Sequence, residues 1–446
     1  MIPTLASSLP AKLPSPLPVM VVVAVVLFAV SQPMVRRVAR AEGDPRLVTL
    51  AMSALALHFL GAAAQILVDN HVYHGIADYT GYVHQGAALA GNFSHFDFTT
   101  KGANLHGIIG DGSVSIVTGV VYTIIGVNEL GSFFVFGWFA WLGTLFFYRA
   151  FCVTFPEAEH RRYALMLFLL PSLLFWASDV SKEALVMFGL GVAALGTARI
   201  LARQRRGYVL VAVGTAMGVA TRPNEFALLL GSFAVAMFFR RRDSRRQLRT
   251  TRRLGSLLFM AVILLVTGLL LHKFLKGDSS VSSLLKKTHH SNSGQGAGFG
   301  SSNVAYSSDP LWYPRDIYTV LFDPLPITAR SFTQFIAGGE NTVILVLVLT
   351  SLRRLRVALR AGRERPYIIL CGLYTAGFIY SFAALGNLGL IDRERTLLLP
   401  FLLVLLAIPV APKRQPPRYP WEKPRLKRRE RRLAAARAGF APPAPP

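Results

Sequence analysis

The sequence predicts an all-α polytopic integral membrane protein, with about eleven transmembrane helices and two large extracytoplasmic segments. Composition, block structure and charge placement each point there. Of 446 residues, 52% are hydrophobic and only 16% charged, and the apolar residues fall in long blocks separated by Arg, Gly and Pro. Water-facing helices carry one apolar stripe at period 3.6, whereas blocks that are apolar all round are stable in lipid. The formal net charge of +25 would suggest nucleic-acid binding on a soluble surface. Here the cations sit between the blocks, so they report topology and no nucleic-acid partner is expected. Cys152 and Cys371 lie at or inside apolar blocks, which implies neither a disulfide framework nor a metal ribbon.

Residues 17–34 form the first predicted span. Only Lys12 precedes them while Arg36, Arg37 and Arg40 follow, which reads as a retained helix with its N-terminus outside, not as a signal peptide. Further spans are predicted at 48–67, 131–149, 163–178, 183–201, 208–221, 224–239, 254–273, 339–352, 366–384 and 395–411. The arginine-dense stretches then all fall on the cytoplasmic side. Residues 240–253 hold eight arginines against Asp243, and residues 353–365 hold six against Glu364. Segment 113–128 (SVSIVTGVVYTIIGVN) would invert half of this order if it crossed, so it is expected to be re-entrant or interfacial. The chain thus divides into a helical membrane domain, 1–411, with external segments 68–130 and 274–338, and a cytoplasmic tail, 412–446. That tail carries eleven Lys or Arg and many prolines. It is expected to be disordered apart from a short helix near 424–438, and to touch anionic lipid at the plasma membrane.

The chemistry is expected outside. Segment 68–130 holds His71, His74, His84, His95 and His106 with Asp69, Asp78, Asp97 and Asp111. Acids, imidazoles and aromatics suit a divalent cation or general acid–base work, although a solvated loop has the same composition. No pair has HExxH spacing, so no metal ligand is assigned. Asp78, Tyr82 and Gln85, at i, i+4 and i+7, share one helical face with His84 close to it; an amphipathic interfacial helix would hold Asp78 over a membrane cavity. The turn ASDVSKE supplies Asp179, Lys182 and Glu183, the turn TRPNE supplies Arg222, Asn224 and Glu225, and DRER spans Asp392 to Arg395. The spans beside TRPNE are about 14 to 16 residues, roughly 21–24 Å against a core of about 30 Å, which sinks Arg222 below the surface. Three charged turns opposite a large loop look like an anion cavity, while helix capping and local salt bridges explain each turn equally well. In the second external segment, KKTHHSNSGQGAGFGSSN reads as a mobile lid or linker. Trp312, Tyr313, Arg315, Tyr318 and Arg330 suit a sugar ring and phosphate, as they suit an interfacial aromatic belt.

The runs FYRAF, RRYALMLFLLPSLLFWASDVSKEAL, TRPNEFALLL and GNLGLIDRERTLLLPFLLVLLAIP resemble uncharacterised polytopic actinobacterial proteins labelled as glycosyltransferases or polysaccharide-assembly proteins. The resemblance covers about residues 70–420, and it extends to the C-type superfamily of membrane glycosyltransferases and the O-antigen polymerases and ligases. It implies transfer of a sugar from a polyprenyl-phosphate-linked donor to a glycan or protein acceptor on the outer face, in cell-envelope assembly. It places Asp78, with Asp69 as fallback, as the acid acting on the acceptor or holding a divalent cation. Arg222, Arg393 and Arg395 become carrier-phosphate ligands. Lys182, Glu183, Tyr82 and His84, from their place in the charged turn and on the first-loop helix, are expected as further substrate contacts. The chain departs from that pattern in lacking an adjacent acidic pair, and in placing its loop after the second span. A non-catalytic partner of a polysaccharide synthase and a lipid-linked glycan transporter are the alternatives.

Overall fold

The computed structural model describes residues 16–73, 78–105, 107–156, 158, 160–204, 206–240 and 309–409. Among these, every regular element is helical. Six of the described helices are long and apolar enough to cross a membrane, and Asp111–Ile125, Gly207–Thr221 and Pro223–Phe238 are shorter apolar helices. The protein is therefore a multi-pass, all-α membrane protein. The predicted span 254–273, the segment 274–308 and the tail 412–446 lie outside the described residues.

The first two helices, α1 (Leu17–Glu42) and α2 (Arg46–Val68), form a tight pair. Gly43 supplies the left-handed C-cap of α1, at φ 69°, a conformation that costs glycine nothing. α1 keeps an apolar face of Val21, Val22, Val25 and Val26 exposed, the surface expected to face lipid. After a π-helical turn at Asp69–Tyr73, α3 (Tyr79–Phe93) and α4 (Asp111–Ile125) run side by side. They run in the same direction, since Tyr82 meets Asp111 and Ser115 donates to Gln85. Segment 113–128 is thus a short helix packed on α3.

α5 (Glu129–Thr154) and α8 (Lys182–Leu201) form the centre, with α9 (Gly207–Thr221) on the other side of α8. Glycines let these backbones touch. A Cβ on Gly143 would meet the Met187 carbonyl, one on Gly191 would meet Gly143, and one on Gly214 would meet Gly189 and Ala193. Such small-residue seams replace the hydrophobic drive that lipid removes. α8 is consequently enclosed, with 89% of its apolar window buried.

Two predicted spans are broken. The block 163–178 is α6 (Arg161–Leu169) and α7 (Pro171–Phe175), interrupted where Leu170 is extended at ψ 122°. Pro171 is the cause, because its ring disfavours a helical residue before it and it has no N–H to donate. The block 395–411 is a 3-10 turn at Arg395–Leu397 followed by α16 (Leu399–Ala407). Before it come α10 (Pro223–Phe238), α11 (Tyr313–Phe322), α12 (Phe332–Thr350), α13 (Leu352–Ala361), α14 (Pro366–Phe382) and α15 (Leu388–Glu394). The basic stretch 353–365 is therefore mostly helical.

The bundle has two chemically distinct ends. At one, Arg365 donates to the Thr154 carbonyl, Arg162 to Ser351 and Arg354 to the Ile408 carbonyl. At the other, residues from α3, α8, the α9–α10 junction and α15 meet.

Candidate functional site

The meeting point is built on the first turn of α8. Ser181 caps this helix, its hydroxyl oxygen accepting from the Ala184 amide. Lys182 and Glu183 follow in the first turn, where a carboxylate gains from the positive end of the helix dipole. Glu183 is fully buried and binds two guanidinium groups. Its Oε1 accepts from Arg222 Nη2 at 2.6 Å and its Oε2 from Arg393 Nη2 at 2.8 Å. Arg222, at the α9–α10 junction, turns its Nη1 to Glu394 of α15. Arg393 turns its Nη1 to Asp78 Oδ2 at 2.9 Å. The result is an alternating chain, Glu394–Arg222–Glu183–Arg393–Asp78, that leads from the interior to an aspartate with 66% of its side chain exposed.

A second branch starts one residue away. Lys182 Nζ lies 2.6 Å from Asp111 Oδ1, and the Tyr82 hydroxyl donates to the same oxygen at 2.5 Å. Asp78 precedes α3 and Asp111 opens α4, so two helix N-termini bring carboxylates to one mouth. Below it, Tyr374 of α14 donates to Glu225 Oε2 at 3.1 Å. Three cations, Lys182, Arg222 and Arg393, here face four carboxylates, Asp78, Asp111, Glu183 and Glu394. Each cation is already engaged. An anion entering this mouth would have to displace a carboxylate.

Asp179, in the turn before α8, is held apart from these pairs. Its Oδ1 is buried with no hydrogen-bond partner among the described residues. Burial pushes its pKa up to about 7, against the pull of the Arg393 charge.

Of the residues expected from sequence, Asp78, Tyr82, Lys182, Glu183, Arg222 and Arg393 come together. Asp69, His84 and Arg395 do not join their contacts. Asp69 is buried in the π-helical turn and accepts from Tyr79 at 2.8 Å. His84 lines a separate groove with Thr80, Gln85 and Asn104. His84 is two residues and about 200° around the helix from Tyr82, which turns it away from Asp111, while Gln85 lies between the two sides, accepting from Ser115 and bordering the groove. Arg395, 1% exposed, donates to the Leu321 carbonyl and pairs with Asp392 at 3.2 Å.

Asp111, Glu225 and Glu394, noted among the loop and turn charges but given no role of their own, belong to the cluster, as does Tyr374, which was not noted at all. For Glu394 a signal existed: in a helical DRER, Asp392 and Arg395 share one face as an i, i+3 pair, which turns Arg393 and Glu394 elsewhere. For Tyr374, inside an apolar block, no signal existed. Compared with protein-family models, curated proteins and solved structures, the chain matches none.

Proposed function

We propose that this protein is a membrane glycosyltransferase that moves a sugar from a polyprenyl-phosphate-linked donor to an acceptor hydroxyl on the extracytoplasmic face of the plasma membrane. In this orientation the N-terminus is outside, the C-terminus cytoplasmic, and the charged mouth opens outward. The observation that carries the reading is Asp78, an exposed carboxylate fixed by a guanidinium that is itself fixed by buried Glu183. A general base needs both access to the acceptor and a defined position. Lys182, a quarter exposed at the same mouth, would face the carrier phosphate as its leaving oxygen gathers charge. The resemblance described above supplies the substrate class, and its acceptor would be a glycan or protein of the envelope.

The charge balance of the cluster favours a second reading, a non-catalytic membrane partner of a polysaccharide synthase, in which the same ion pairs only clamp helices together. Protein in lipid nanodiscs, supplied with polyprenyl-phosphate and polyprenyl-diphosphate sugars together with glycan and peptide acceptors, separates the two. The enzyme reading expects carrier lipid released by wild type and at least a 100-fold lower rate for Asp78→Asn, the loss typical of a general base. Equal rates for the two proteins would remove Asp78 from the mechanism, and no release by wild type would favour the partner reading.

A further inference from the structure

At the opposite end of the bundle lies a cluster that the proposed reaction does not use. Glu42 is the last residue of α1, Cys152 lies in the last turn of α5, and His160 immediately precedes α6. Taking one oxygen, the sulfur and one ring nitrogen, the ligand atoms all lie within 4.8 Å of one another. We infer that Glu42, Cys152 and His160 form a zinc site that fastens α1 to α5 and to the start of α6.

Geometry supports this first. Zinc bonds of about 2.3 Å to sulfur and about 2.0–2.1 Å to nitrogen or oxygen put neighbouring tetrahedral ligands roughly 3.3–3.6 Å apart. Binding must therefore draw the ligand atoms together by up to roughly 1.2–1.5 Å. The second support is how the histidine is held. Its Nε2 lies 2.8 Å from the Phe155 carbonyl oxygen; donation there fixes the tautomer and leaves the Nδ1 lone pair for a metal. This backbone tether is the usual outer partner of a metal-bound imidazole. The ring is further fixed edge-to-face by Tyr148 and Phe151, at 6.2 and 5.9 Å.

Ligand chemistry chooses the ion. A thiolate, an imidazole and a carboxylate form a borderline-soft set that suits zinc and disfavours magnesium or calcium. Binding replaces the S–H bond by a Zn–S bond and releases that proton to solvent. One thiolate and one carboxylate then neutralise the dication, which suits a site where Cys152 is buried at 3% exposure. Glu42 and His160 are half-buried, so the fourth position opens to water.

The placement gives the site a task. α1 has only 17% of its apolar window buried, and its packing is concentrated at its C-terminal end, where Val35, Val38 and Ala39 are buried while Val21, Val22, Val25 and Val26 are exposed. A metal at its last residue would reinforce that packed end, which is the anchor of the helix.

The test uses full-length protein purified in detergent without chelator or polyhistidine tag. Elemental analysis is expected to give about one zinc per chain. Removing the ligand thiol in Cys152→Ser or the imidazole in His160→Ala is expected to cut affinity by more than about 100-fold, beyond the loss typical of outer partners. Exchange into cobalt adds a readout that does not depend on those variants folding. The chain has two cysteines, so a sulfur-to-cobalt charge-transfer band that survives Cys371→Ser must come from Cys152. Absence of both zinc and the band from wild type would overturn the site, as would a band abolished by Cys371→Ser in protein that remains monodisperse.

Discussion

Glu183 is the residue on which the charged mouth turns, since it is fully buried and both its oxygens are taken by arginines. Deleting one member of a buried ion pair leaves its partners uncompensated, at a cost of about 3–5 kcal/mol. Glu183→Ala is therefore expected to lower thermal stability in detergent by that amount, with Arg222 and Arg393 both left short of a partner. Asp78, two-thirds exposed, makes a different kind of pair. Its loss in Asp78→Asn is expected to cost no more than about 1 kcal/mol, so that an activity defect in this variant reports chemistry and not folding. Asp179 adds a pH term. With its pKa raised to about 7, the folded protein keeps a proton between roughly pH 4 and 7 that the unfolded chain has released, and stability from this group falls as pH rises through that window. Asp179→Asn is expected to raise the melting temperature relative to wild type more at pH 8 than at pH 5; an equal shift at both would mean the carboxyl is ionised throughout. The side chains differed in how legible they were. Charges in turns between apolar blocks advertised Lys182, Glu183 and Arg222, because such residues are costly near lipid and need partners. Which partner each would find was not legible, because Glu183 and Arg393 are separated by 210 positions and local spacing says nothing about that encounter.

Among the elements, those with uninterrupted apolar runs were visible in the sequence and those bent by a single residue were not. α2 and α5 follow the predicted spans 48–67 and 131–149 with ends extended by one to five residues, and α14 follows 366–384 but stops two residues earlier; helix ends are the least fixed part of such an assignment. The α6–α7 break and the 3-10 entry into α16 escaped a reading based on block length, since Pro171 can kink a span or end it. The seam between α5 and α8 was equally hidden. Glycine is common in membrane helices, and only three-dimensional proximity shows that Gly143 and Gly191 approach each other. Gly191→Val is accordingly expected to force these helices apart and cost about 1–3 kcal/mol. Gly372→Ala, where an added Cβ meets nothing within 4 Å, is expected to be neutral or stabilising. Thermal unfolding of the two variants side by side checks the contrast, and equal melting temperatures would show that the seam tolerates separation.

For the molecule as a whole, the proposed orientation follows from the arginines gathered at one end and the acid-rich mouth at the other. Both native cysteines are buried, which leaves a quiet background for labelling. Lys101→Cys lies on the exposed turn after α3 and Arg363→Cys on the exposed turn after α13. A membrane-impermeant maleimide added to intact cells is expected to label the first and to reach the second only after permeabilisation. The reverse pattern would turn the mouth to the cytoplasm and remove the extracytoplasmic reaction.

The alternating chain Glu394–Arg222–Glu183–Arg393–Asp78 also sets a timetable for biosynthesis. Glu183 leaves the ribosome with α8 and meets Arg222 early, but Arg393 emerges 210 residues later. At about 5–20 residues per second the wait is roughly 10–40 s. During that interval the enclosed helix α8 holds a carboxylate with one of its two arginines missing, in a bundle still lacking α15 and α16. The mouth is thus completed only when α15 has been made, and a chain that stops before residue 393 leaves Glu183 half-matched, with one oxygen lacking its guanidinium.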